Sequence, residues 1–138
     1  MIKVMNKNNS GLLHHLEIYV SNLKRSSEFW GWFLGKLGYK KIAEWDSGQS
    51  WELESTYIVF VQTEDKYKDV PFHRCRTGLN HLAFHAASRE EVDELYSELK
   101  ARGISVLYED RHPYAGGRDY YAVFFEDPDR IKVEFVAG

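Results

Sequence analysis

Two stretches of this chain read as copies of one another, Leu13-His14-His15-Leu16-Glu17-Ile18-Tyr19-Val20 and Leu79-Asn80-His81-Leu82-Ala83-Phe84-His85-Ala86. Each opens an apolar run with Leu-x-His-Leu, and each leads into a helical pattern that stops at a glycine, Gly38 in one copy and Gly103 in the other. Short strand-like runs then close both halves. A repeat of this kind predicts two similar units packed together, because neither can bury its own apolar face alone. Under that pseudo-symmetry His15 and His81 are equivalent positions and are expected to meet near its axis.

Within the first copy, Leu13, His15, Glu17 and Tyr19 alternate with His14, Leu16, Ile18 and Val20. A period of two indicates a strand and turns His15 away from Leu16 and Ile18. Ser21 and Asn22 supply helix-starting side chains, and Leu23, Trp30, Phe33, Leu34 and Leu37 recur at helical spacing before Gly38. Trp30, Trp32 and Phe33 are therefore read as helix-packing residues. Residues 39–45, 50–54 and 57–62 read as three strands, the first two joined at Asp46-Ser47-Gly48. The unit is βαβββ.

The second copy repeats that order. Ser88 with Glu91 forms a capping box, and Val92, Leu95, Tyr96 and Leu99 give the buried helix face. Strands are expected at 105–108, 120–125 and 131–136, with Asp127-Pro128-Asp129-Arg130 turning the chain between the last two. In the final strand Ile131, Val133 and Phe135 share one face, which leaves Glu134 on the other. The fold class is thus α+β: a polar tail at 1–10 and one domain at 11–138, with a first module at about 11–63, a connection at 64–77 and a second module at about 78–138.

The chain has 138 residues, 43% hydrophobic and 28% charged, with a formal net charge of −3. That balance describes a soluble globular unit, and its scattered Lys and Arg give no basic patch for nucleic acid or an anionic membrane. No apolar run is long enough to span a bilayer, no signal peptide is visible, and the single Cys75 has no partner in the chain, which together predict a cytoplasmic protein. Cys75 is read as an incidental loop thiol despite Arg74 and Arg76 beside it, since no oriented base accompanies it.

His15, His81 and Glu134 are expected to converge from three strands onto one concave surface. Two imidazoles and one carboxylate hold a divalent first-row metal while leaving positions free for water and substrate, as catalytic sites require. His14, His73, His85 and His112 are read as ordinary strand or surface histidines. Pro113-Tyr114-Ala115-Gly116-Gly117-Arg118 would cover the concavity, which makes Tyr114, Arg118 and Tyr120 candidate substrate-binding residues, Arg118 by paired donors to an anionic group.

These same residues carry a resemblance. The chain resembles the vicinal-oxygen-chelate superfamily, which includes glyoxalase I, fosfomycin-resistance enzymes, extradiol dioxygenases and bleomycin-resistance proteins. The matching parts are Leu13-His14-His15-Leu16, Val20-Ser21-Asn22-Leu23, Leu79-Asn80-His81-Leu82-Ala83-Phe84, and Asp127-Pro128-Asp129-Arg130 followed by Ile131-Lys132-Val133-Glu134-Phe135. The resemblance implies paired βαβββ modules forming a cup-shaped mixed sheet with the helices outside. It also implies His15, His81 and Glu134 as metal ligands, Glu134 being catalytic as well, and a zinc, nickel, manganese, cobalt or iron ion as cofactor. Glyoxalase I takes a fourth ligand from the last strand of its first module; here that strand has no acid, and the slot falls at Val61 or, with a one-residue slip, at Gln62. The expected activity is lyase or isomerase chemistry on a small substrate that chelates the metal through neighbouring oxygens, in a homodimer for which the aromatic-rich surfaces around Trp30, Trp32 and Tyr96 would supply the apolar contact. A thiol or water transferase of the fosfomycin type and a metal-free drug-sequestering protein are the alternatives.

Overall fold

The computed structural model describes residues 8–138, so most of the expected polar tail lies outside the described residues. The chain divides into two compact units at Glu64 and Asp65. The first contains β1 (His15–Val20), α1 (Leu23–Lys36), β2 (Lys40–Trp45), β3 (Gly48–Leu53) and β4 (Thr56–Gln62). The second contains β5 (His81–Ala86), α2 (Arg89–Ala101), β6 (Val106–Leu107), β7 (Tyr121–Glu126) and β8 (Lys132–Ala137). Each unit is a mixed four-stranded sheet, ordered β1-β4-β3-β2 in one and β5-β8-β7-β6 in the other. In both, the first strand pairs parallel with the last, and the remaining pairs are antiparallel. The two βαβββ modules read from the repeat are present.

Local chemistry explains where the helices begin and end. The Asn22 side chain accepts from the Arg25 N–H at 3.1 Å, and Ser88 Oγ accepts from Glu91 N–H at 3.1 Å, each satisfying a donor the helix leaves orphaned. Glu91 turns back to accept from Ala87 N–H at 3.0 Å, one residue earlier than the reciprocal bond of a capping box. Gly38 and Gly103 follow the helices at φ +97° and +70°, a conformation that side chains with a Cβ resist.

One face of each sheet is covered by its helix. In the first unit Trp30, Phe33 and Leu34 are fully buried, and Trp30 stacks on Phe60 at 5.1 Å between ring centres. Each such side chain contributes about 1.5–3 kcal/mol through burial. Trp30 is therefore interior, and the expectation that it forms part of an aromatic docking surface for a second chain does not hold. In the second unit Val92, Leu95 and Leu99 pack over Val123, Phe125, Val133 and Phe135.

Two sequence expectations shift. The strand predicted at 105–108 shrinks to two residues, since Tyr108 adopts φ 57° and leaves the extended region. The expected connection at 64–77 belongs, from Asp65 onward, to the second unit. Arg74 fastens it there, donating through Nη1 to Glu126 Oε1 at 2.7 Å and to the Arg130 carbonyl at 3.1 Å.

Candidate metal centre

The sheet faces away from the helices carry the candidate residues. Along β1 the side chains of His15, Glu17 and Tyr19 are exposed while Ile18 and Val20 are buried, so the alternation read from sequence is the one observed. Along β8, Val133 and Phe135 face α2, which turns Glu134 to the opposite face. Its rung partners there are Ala83 on β5 and Phe124 on β7.

Glu134 is only 3% exposed, and a carboxylate that dry requires partners. It has two. Oε1 lies 3.1 Å from His81 Nε2, and Oε2 accepts the hydroxyl of Tyr120. That bond to Glu134, with burial and the carboxylate charge adding to it, pushes the Tyr120 phenol up to about 12. Gly116 makes the arrangement sterically feasible, because a Cβ there would fall 2.3 Å from the Tyr120 ring. The other edge of His81 is also fastened: Nδ1 donates to Asn80 Oδ1 at 2.7 Å, which aims Nε2 at the carboxylate.

His81 Nε2 and Glu134 Oε1 have the chemistry and spacing of two ligands on one ion. Donors at about 2.1 Å from a metal and at right angles to each other stand about 3 Å apart. Imidazole nitrogen with carboxylate oxygen suits zinc, nickel, cobalt, manganese or iron rather than calcium or magnesium. Among the described residues, no third His, Cys, Asp or Glu completes a metal-holding cluster.

His15 stands in the first unit with a parallel arrangement of its own. Its ring stacks on Tyr57 at 4.6 Å with 4° between planes, and its Nδ1 lies 2.9 Å from His14 Nδ1. One of those nitrogens must donate and the other accept. If His15 donates from Nδ1, its Nε2 is left with a free lone pair for a ligand. The residue directly before each candidate histidine, His14 or Asn80, thus orients the ring, a role that sequence reading missed for both. A polar side chain immediately ahead of each repeated histidine was the available signal.

The remaining expectations separate. The Gln62 carboxamide is engaged at the start of α1, accepting from Leu23 N–H at 2.8 Å and donating to the Ser21 carbonyl at 2.9 Å. Val61 is on the His15 face but pairs with Tyr19, four residues along β1. Glu134 lies two residues beyond the rung partner of His81, Lys132, and two residues beyond the rung partner of His15, Tyr57, is Val59. Tyr114 is turned to the helix side, where its hydroxyl accepts from Arg89 at 3.4 Å and its ring meets Tyr121 edge-on. Arg118 is exposed on the loop, and of the three loop candidates it is Tyr120 that touches Glu134. Cys75 is exposed, its N–H donating to His73 Nδ1 at 3.0 Å. A cleft of about 530 Å³ between α1 and β2, lined among others by Lys24, Glu28, Lys41 and Glu44, carries no histidine.

Known proteins share this frame. A crystal structure of a proposed glyoxalase from Bacillus halodurans superposes with a TM-score of 0.94 at 60% identity, covering 96% of this chain and all (100%) of that one. The uncharacterized protein YqjT of Bacillus subtilis (strain 168) is 57% identical over 125 residues, 91% of this chain and 98% of its own length. The metallothiol transferase FosB of Lysinibacillus sphaericus (strain C3-41) is 25% identical over 126 residues, 91% of this chain and 82% of its own. A family model spans residues 12–135, nearly the whole repeat. On that match the chain belongs to the Glyoxalase/Bleomycin resistance protein/Dioxygenase superfamily.

Proposed function

We propose that the chain is a metal-dependent glyoxalase-like enzyme, a lyase or isomerase, acting on a small substrate that reaches the metal through two neighbouring oxygens. The observation that carries this reading is the pair His81 Nε2 and Glu134 Oε1 at 3.1 Å, each held from behind by Asn80 or Tyr120. Such outer partners fix ring orientation and raise ligand basicity. His15 is the third ligand in this proposal.

A bound divalent ion would supply Lewis-acid stabilisation of negative charge developing on the substrate oxygens. The protein residues do the rest. Asn80 holds the His81 imidazole in the tautomer that presents Nε2, His14 orients the His15 ring, and Tyr120 keeps Glu134 from swinging away. Phe124, beside Glu134, keeps water from one side of the carboxylate and so strengthens its attraction to a cation.

Thiol transfer of the metallothiol kind is the second reading. It is favoured by the likeness to FosB and by an apolar residue, Val59, at the rung where a fourth acid would stand. Metal content of protein purified without chelator, measured by plasma spectrometry, tests the common core of both. His15→Ala, His81→Ala and Glu134→Ala are each expected to lose most of the bound metal while keeping the far-ultraviolet dichroism of the parent. Full metal content in all three variants would return these residues to ordinary strand positions and overturn the reading.

A further inference from the structure

Beside the pair His81 and Glu134, the second unit carries cations that the metal reading leaves unused. Lys132 is the rung partner of His81 on β5 and of Glu126 on β7, and it precedes Glu134 by two residues, so its side chain leaves the same face of the sheet. Glu126 is already met by Arg74 at 2.7 Å and Arg130 at 3.5 Å. Lys132 instead donates through Nζ to the Tyr108 hydroxyl at 3.2 Å. The Tyr108 ring meets Phe124 edge-on at 5.5 Å and Phe124 meets His81 at 6.5 Å between ring centres, which ties the group to the candidate site within one sheet. Arg111 brings a second cation to 5.2 Å from the centre of the Tyr108 ring.

We propose that Lys132 and Tyr108 form a binding site for an oxyanion, a carboxylate or phosphate carried by the molecule that meets His81 and Glu134. The site itself stands on this geometry, and its link to a substrate rests on the functional reading above. Three observations support it. With one ammonium hydrogen given to the phenol oxygen, the phenol hydrogen and two ammonium hydrogens remain, and donors 3.2 Å apart match two oxygens of a single carboxylate or phosphate. Among the described residues no carboxylate stands within ion-pairing distance of Lys132 or Arg111, so two positive charges meet at one ring without a counter-charge. Tyr108 holds its place at φ 57°, a backbone conformation unfavourable for an aromatic residue and one that collects at ligand sites. Lys132 and Glu134 stand about 7 Å apart along β8. A small molecule with chelating oxygens at one end and an acid group a few bonds away would reach both.

Calorimetric titration of the full chain with inorganic phosphate and with succinate, at constant ionic strength and both with and without EDTA, tests the site. At least one probe is expected to bind saturably in either condition, and the tighter of the two names the acid group. Lys132→Met and Tyr108→Phe should each weaken that binding by about tenfold or more, since each removes a hydrogen bond to a charged group, while metal content stays parental. Arg102→Met, at the end of α2, should leave the affinity alone. With Ni²⁺ bound, malate should bind tighter than lactate, which lacks the second carboxylate, and Lys132→Met should cancel the difference. No saturable binding by the parent, parental affinity in Lys132→Met and Tyr108→Phe, or an equal loss in Arg102→Met would overturn the site whatever the metal content. Malate and lactate held alike by the Ni²⁺-bearing parent would break its link to a substrate. Anion binding that meets these expectations in a protein that holds no metal would keep the site and remove the metal reading.

Discussion

Tyr120 and Glu134 are joined through the carboxylate oxygen that His81 does not use: the phenol donates to Oε2 while Nε2 of His81 faces Oε1. The glutamate is thereby held in one orientation from a loop that Gly116 allows to lie against the ring. Tyr120→Phe removes the donor and keeps the ring packing. It is expected to lower divalent-metal affinity by about 10- to 100-fold without unfolding the protein. Calorimetric titration of the variant beside the parent checks this, and equal affinities would show that packing alone orients Glu134.

Gln62 is expected to be a stability residue. Its amide oxygen accepts from Leu23 N–H and its amide N–H donates to the Ser21 carbonyl. Gln62→Leu leaves those groups unpaired at the start of α1 and should cost about 1–3 kcal/mol in urea denaturation. Metal content should not change. A variant as stable as the parent but poor in metal would reverse the assignment.

His112 stacks on Tyr96 at 4.2 Å, and burial pushes its imidazole below the usual 6.5, although Asp93, Glu109 and the Ala122 backbone act in the opposite direction. The folded chain therefore prefers the neutral ring. Its contribution to stability is complete above pH 6.5 and is lost as pH falls through the lowered folded value. Proton NMR titration should place the His112 midpoint under 6.5, and Tyr96→Ala should move it upward by exposing the ring. A midpoint at or above the ordinary value in the parent would contradict the burial argument.

Assembly as a homodimer is the fourth expectation. With Trp30 interior, the argument passes to Tyr19, Ile42 and Trp45, which are 63%, 50% and 43% exposed on the first unit. Tyr19 lies on one edge strand of the first sheet and Ile42 and Trp45 on the other, and exposed apolar side chains gain by being covered. Light scattering coupled to size exclusion at micromolar concentration should give twice the mass of one chain, 16.2 kDa, and Ile42→Lys with Trp45→Lys should halve it. A parent protein that elutes at a single-chain mass with metal present would rule the dimer out.

Much of this was legible in the residues themselves. Period-two alternation put His15 and Glu134 on their faces, Asn22 and Ser88 marked the helix starts, and Gly38 and Gly103 the ends, because each depends on neighbours within a few positions. What needed partners distant in sequence was not. Counting along the chain led to Val61 or Gln62 as the first-module counterpart of Glu134, whereas by strand register the matching rung holds Val59; pairing, not offset, decides which residues stand opposite one another. Gln62 was drawn to Leu23, 39 residues away, a pull that no local pattern encodes. Tyr114 and Tyr120 lay in one loop and looked alike, yet they end on opposite sides of the second sheet.

The parallel pairing of first strand with last also sets an order of events during synthesis. β1 finds its partner once Gln62 has been made, and His15 is then seated in a complete sheet. β5 must wait for Lys132–Ala137, the last strand of the second sheet, before any of its rungs can close. Long-range pairings of this kind form late, because the loop between them has to be ordered first. The strand that completes the second sheet is also the one that delivers Glu134 to His81. A growing chain therefore gains the fold of its second half and the heart of its candidate site in a single stroke, when β8 arrives.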